Sequence, residues 1–291
     1  MSPEETRGDL LPASSFRLQG TIYGIKEIRM SSPAQHTLSP LELHLFELYD
    51  SIPLGTHSVC KECSRSAQPL RLGRPVSLYH AGSQFGCDGR RILFAGKNAR
   101  GDVGADHGRP FLDATAAADE WIGKWDSRAF RSWPFWAYMR EIVQTCYPDL
   151  SFPEAWERVA VTNLVKCNEQ ENSASNSSAD GTPYPVAEHC LAKLQVFRRE
   201  LDALQPTHVV LFTGRAYDRF LGEAMFGPQW RDAPGSGPYA VAGCGGRALP
   251  WWEGCVMRDD GIPCRVLRTG HPQWKPKDPF VKLVSDWLMK E

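Results

Sequence analysis

Four short apolar runs recur at wide intervals along the chain: Arg91–Ala95 (RILFA), Arg158–Thr162 (RVAVT), His208–Phe212 (HVVLF) and Arg265–Arg268 (RVLR). Each is continuous instead of alternating with polar residues, which is the pattern of strands covered on both faces. Stretches with helical spacing lie between them, at about 114–146, 185–204 and 214–225. Strands alternating with helices predict an α/β fold, a three-layer α/β/α sandwich around a central, mainly parallel four-stranded sheet.

Ahead of the first run, Ser39-Pro40-Leu41-Glu42 reads as a helix start, with Ser as cap, Pro in the first turn and an acid near the positive dipole end. Leu41, Leu43, Phe46, Leu48 and Tyr49 form its expected inner face, and Cys60-Lys61-Glu62-Cys63 follows in an expected loop. Residues 1–18 carry Pro, Ser and charge without apolar periodicity and read as a flexible arm. Residues 19–291 read as one domain with two inserted loops, near 168–181 and 226–254. The first is polar and of low complexity. The second is rich in Gly and Pro and holds Trp230, Trp251 and Trp252.

Composition narrows the class. With 42% hydrophobic and 23% charged residues, the chain matches a soluble globular protein and not a disordered one. No run reaches the roughly 18 apolar residues of a membrane span, and Met1–Leu10 is too polar for a secretory signal. A cytoplasmic location, no membrane partner and a monomer are expected. The net charge of −1 offers none of the basic excess common in DNA binders, so any nucleic-acid contact must come from a local surface.

Nine cysteines are many for a reducing compartment, where clustered thiols point to metal or catalysis more than to disulfides. Cys60 and Cys63 have the spacing of half a soft-metal site, and Cys167 and Cys190 are available as the other half. Four thiolates suit zinc or a [4Fe–4S] cluster equally, and spacing does not separate them. The other five cysteines read as packing residues.

In sheets of this kind ligands bind beyond the carboxyl ends of the strands. Those ends here carry Gly96-Lys97-Asn98-Ala99-Arg100-Gly101-Asp102 with GRPF at 108–111, then TNLVKC at 162–167, VVLFTG at 209–214 and GHPQ at 270–273. Together with CKEC at 60–63 and TPYPVAEHC at 182–190, these six motifs occur in the order found in iron–sulfur uracil-DNA glycosylases. The chain resembles the family-four and family-five enzymes of that superfamily over about residues 55–285.

The resemblance implies a structural [4Fe–4S] cluster on Cys60, Cys63, Cys167 and Cys190, with zinc as the runner-up. It implies DNA as the partner, and excision of a flipped base that leaves an abasic site. Phe111 would stack on the base, and Asn163 would read its edge, since an amide both donates and accepts. His271 would donate to the charge that develops on the departing base. Arg109, Lys166, Trp274, Lys275 and Lys277 are the expected DNA-contacting residues, Trp274 lying in a loop placed to push into the base stack.

The first strand end departs from both families. Lys97 stands where family four has an acid, and the twelve-residue interval from Gly96 to Gly108 matches family five without its apolar segment. Asp102, and secondarily Asn98, is the expected group to orient the attacking water. HPQ in place of HPS, together with the two insertions, opens the substrate to uracil or to a bulky modified cytosine such as those of phage DNA. Repair and defence against modified phage DNA both fit. A catalytically silent iron–sulfur nucleic-acid-binding protein of the same fold is the alternative, with a zinc-stabilised α/β hydrolase behind it.

Overall fold

The computed structural model describes residues 40–52, 54, 57–66, 72–75, 80–98, 134–169, 184–227, 230–231, 242–244, 246–258 and 260–290, for some of them the backbone alone. In chain order the elements are α1 (Pro40–Ser51), α2 (Ser58–Ser66), β1 (Leu72–Pro75), β2 (His80–Ala81), β3 (Ile92–Asn98), α3 (Pro134–Cys146), α4 (Phe152–Trp156), β4 (Val159–Val165) and β5 (Cys167–Glu169). They continue with α5 (Tyr184–Glu188), a π turn at His189–Lys193, α6 (Val196–Leu204), β6 (His208–Leu211), a 3-10 turn at Asp218–Phe220 and α7 (Glu223–Phe226). The last are β7 (Trp230–Arg231), β8 (Ala242–Cys244), β9 (Arg247–Leu249), β10 (Trp251–Met257), β11 (Pro263–Thr269) and α8 (Lys277–Met289).

The main sheet runs β2-β4-β3-β6-β11-β10-β7. Its centre is the expected parallel set: β4, β3, β6 and β11 are mutually parallel neighbours. The sheet is wider than the four strands expected, because β2 adds antiparallel to β4, and β10 and β7 add antiparallel beyond β11. The 226–254 segment is therefore not all loop. It contains the β8–β9 hairpin and runs into β10, where Trp251 and Trp252 are buried strand residues.

Side chains alternate across the sheet and feed two cores. Ile92 and Phe94 of β3 point into a layer made by α3, α4 and α8, with Met139, Ile142, Trp156, Phe280 and Val284. Leu93 and Ala95 point the other way, toward α1, α6 and α7, among Leu45, Phe197, Phe226 and Cys190. Every residue of β4 is buried, which accounts for its unbroken apolar run.

Local chemistry sets several boundaries. Pro134 begins α3, where a missing N–H costs nothing. Ahead of α4, the Ser151 N–H and Oγ both donate to Glu154 Oε2, at 2.9 and 2.6 Å. The helix expected over 185–204 is divided in two. A π turn at its centre, with the Leu194 N–H donating to the His189 carbonyl at 2.9 Å, is followed by Gln195 at φ 52°.

The expected helix at 214–225 is reduced to the 3-10 turn and α7. Cys60-Lys61-Glu62-Cys63 lies on α2 and not in a loop. In α1, Leu41, Leu48 and Tyr49 pack inward as expected and Leu45 joins them, while Leu43 is 48% exposed and the Phe46 side chain lies outside the described residues.

Candidate functional site

The parallel strands β3 and β4 bring Gly96 and Asn163 into register as neighbours near their carboxyl ends. Asn163 is 7% exposed, and its amide lies across the bare α-carbon of Gly96: a β-carbon built there would overlap Asn163 Oδ1. The same point lies 3.3 Å from Phe135 Cζ and 3.5 Å from Cε2. Phe135, in the first turn of α3, thus closes over the amide from the helical layer.

On its other side Phe135 stacks with the imidazole of His271, the ring centroids 5.7 Å apart and the planes 20° from parallel. Edge contacts to Phe212 at 5.7 Å and Trp136 at 5.1 Å hold the phenyl ring in place. Asn163, Gly96, Phe135 and His271 therefore gather around one point at the carboxyl end of the sheet, although 175 positions separate Gly96 from His271 (271 − 96).

His271 follows β11 in the sharp turn His271–Pro276. The Gln273 N–H donates to its Nδ1 at 3.2 Å, which places the proton of the neutral ring on Nε2 and makes that nitrogen a donor. Three residues on, Trp274 is 78% exposed and sits at φ 67°, a left-handed conformation that a tryptophan adopts only at a cost of roughly 1–2 kcal/mol. The ring is thus held out in solvent, close in the chain to His271, and is no part of the core.

The expected DNA-facing cations divide. Lys275 folds back over Gly270, where its Cε would lie 3.1 Å from an added β-carbon, and its carbonyl accepts the Tyr138 hydroxyl at 2.7 Å. Lys277, in the first turn of α8, pairs with Glu141. Lys166 is not on a surface at all. It is 1% exposed, and its Nζ stands 2.5 Å from Glu200 Oε1 and 2.7 Å from Thr162 Oγ1. Glu200, on α6 and 0% exposed, also takes hydrogen bonds from Thr162 and Tyr49. Burial lowers the Lys166 pKa and Glu200 works against that fall, as expected of a desolvated ion pair. Phosphate contact by Lys166 is thereby corrected: the ammonium is spent inside.

On the layer opposite Phe135, three of the thiols expected to bind metal lie near enough to act on one another electrostatically. Cys60 and Cys63 sit one helical turn apart on α2 and face Cys190 of the π turn. Burial, followed by the neighbouring Cys190 and Cys60 sulfurs, pushes the Cys63 thiol up to about 12. Cys190 is pushed up to about 11, mainly by burial, against the Lys166 backbone N–H that donates to its sulfur. Among the described residues, no three His, Cys, Asp or Glu side chains stand at ion-holding spacing as they lie.

The Cys167 backbone pairs with Pro75 in the small β1–β5 sheet, directly after Lys166, and its side chain lies outside the described residues. So do Asp102, Arg109 and Phe111 altogether, and the Asn98 side chain, whose backbone pairs with Val165 at the end of β3.

Two of the residues described above carried no functional reading in the sequence. Phe135 lies inside an apolar helical stretch where nothing separates a pocket ring from a core ring; its only marker is Pro134, which fixes the helix start. Glu200 hides on the inner face of α6, where an acid ordinarily signals solvent.

A mainly parallel sheet with an amide, an imidazole and an aromatic ring gathered at its carboxyl end defines an α/β protein with polar groups where such sheets bind ligands. The chain belongs to the Uracil DNA glycosylase superfamily, whose family model matches residues 83–284. Members of that superfamily act on DNA and are mostly DNA glycosylases. No curated protein matches the chain. No described helix is long and apolar enough to cross a membrane.

Proposed function

We propose that this protein is a DNA glycosylase that draws a pyrimidine-like base, uracil or a bulky modified cytosine, into the slot between Asn163 and His271 and hydrolyses its N-glycosidic bond. The observation that supports this is the convergence of amide and imidazole on one aromatic ring, with Trp274 standing in solvent alongside.

The chemistry follows from these groups. Trp274 enters the stack as the target nucleotide leaves, replacing part of the stacking energy that extrusion removes. The Asn163 amide is held against Gly96 and reads the edge of the base by donating and accepting at once. As the glycosidic bond lengthens, negative charge collects on the base, and the His271 Nε2–H donates to it. Asp102, with Asn98 as the second candidate, orients water toward the cationic sugar, and Phe111 stacks on the base.

Cys60, Cys63, Cys167 and Cys190 would hold a [4Fe–4S] cluster, zinc being the alternative. Its contribution would be structural, its ligands coming from α2, the π turn and the start of β5. Iron and acid-labile sulfide in a brown protein support the cluster, and a colourless protein with zinc refutes it.

The test is a panel of oligonucleotides carrying uracil, hypoxanthine or glucosylated hydroxymethylcytosine, scored by alkali-labile breaks. Cleavage of at least one is expected. Asn163→Ala and His271→Ala should each lower it, the latter by about 10²–10³-fold for one lost donor. Tight DNA binding with no abasic product from any base would overturn the enzymatic reading in favour of a silent binding protein.

A further inference from the structure

Phe135 has a second role available to it beyond packing. Resting on the glycosylase reading above, we propose that Phe135 is the specificity-determining wall of the base slot, the residue that sets how large a ring can lie between Asn163 and His271.

Three observations converge. The ring edge of Phe135 reaches the Gly96–Asn163 pair, coming 3.3 Å from the site of a Gly96 β-carbon, while its face stacks on His271 at 5.7 Å. It therefore borders the glycine against which the Asn163 amide rests and stacks on the imidazole, the two groups that would engage the base. The Phe135 and His271 centroids, 5.7 Å apart, stand at the separation of rings in direct contact, so a base that reaches His271 lies beside Phe135 and not between the two rings.

Finally, Phe135 is only partly buried, whereas Phe94, Phe212 and Phe280 in the same layer are fully buried. A ring held by Phe212 and Trp136 that still keeps part of its surface exposed has surface left for a ligand to meet. It is a separate residue from Phe111, the stacking ring implied by the family resemblance.

The experiment compares Phe135→Leu and Phe135→Ala with the unaltered full chain, each checked for its thermal transition. The same three bases are used in single-turnover cleavage, and again in binding to oligonucleotides whose 2′-fluoro sugar blocks cleavage. A smaller side chain is expected to move the ranking toward hypoxanthine or the glucosylated base relative to uracil. The change should be on the order of 10-fold or more, the size by which a hydrophobic pocket discriminates one small group. Asn163→Ala, by contrast, should depress all bases together.

An unchanged ranking in the Leu variant, in cleavage and in binding, overturns the proposal, and the Leu variant decides if the Ala variant does not fold. If the unaltered protein cleaves nothing yet its binding ranking shifts in Phe135→Leu, the wall stands and the enzymatic reading falls. Binding that does not depend on the base in any variant refutes the wall.

Discussion

Replacing Gly96 with alanine puts the geometry of the slot to a direct test. The new methyl would overlap Asn163 Oδ1, whereas ordinary carbon–heavy-atom contact begins near about 3.5 Å, so the amide must withdraw by about an ångström or more. Phe135 Cζ, at 3.3 Å, yields only a few tenths. Gly96 is in ordinary strand backbone and absent from the positive-φ glycines, so alanine adds no conformational strain.

Crowding of this kind costs about 1–3 kcal/mol of stability, and the fold survives. A reacting geometry displaced by one ångström loses about 10²-fold in rate, near 2.7 kcal/mol. The assay is single-turnover formation of abasic sites, with circular dichroism as the control for folding. The deciding measurement is a double-mutant cycle: in an Asn163→Ala background the oxygen is gone, so Gly96→Ala should cost less than about 0.5 kcal/mol further. Equal losses in both backgrounds, or a Gly96→Ala protein with undiminished rate, would refute the claim that glycine is there to seat the amide.

Other outcomes are expected elsewhere. Trp274→Gly should leave the melting temperature unchanged or slightly raised, since it relieves a left-handed φ, yet weaken binding to DNA with a mispaired base; a stability loss would contradict the wedge. Lys166→Met strands the buried Glu200 carboxylate and should cost about 3–5 kcal/mol in urea unfolding, most of it recovered by adding Glu200→Leu; equal losses in single and double variants would dissolve the pair. His208 is held down to about 4, chiefly by burial and then by the Arg265 and Arg90 charges. Its folded pKa lies below the unfolded value near 6.5, so its share of stability is complete above about pH 6.5 and lost as pH falls toward 4. Allowing for its partial exposure, that share is about 2–3 kcal/mol, and His208→Gln should flatten the acid limb of a pH–stability curve.

The fold was most legible where burial is two-sided. Val159–Val165 reads as strand because both layers cover it, and the same holds for the other three parallel strands. The antiparallel additions were not legible: His80–Ala81 has two residues and no period, and Trp251–Met257 begins in a Gly- and Pro-rich stretch that looks like loop. Asn163 and His271 stood out because polar residues at strand ends are chemically conspicuous. Lys166 was misread for the complementary reason, since its partner Glu200 lies 34 positions further on and only tertiary packing pairs them (200 − 166). Slot and thiols lie on opposite layers: Phe135 belongs to one core and Cys63 and Cys190 to the other, with the sheet between.

That division gives β4 an unusual duty. Thr162 turns toward the Glu200 side, and Asn163, the very next residue, turns toward Phe135. Because side chains alternate, slipping this strand by a single step would aim the amide into the ion pair and the hydroxyl into the slot. Mispairing cannot spoil one half and spare the other, so the ladder that seats β4 acts as a proofreader for both layers during folding.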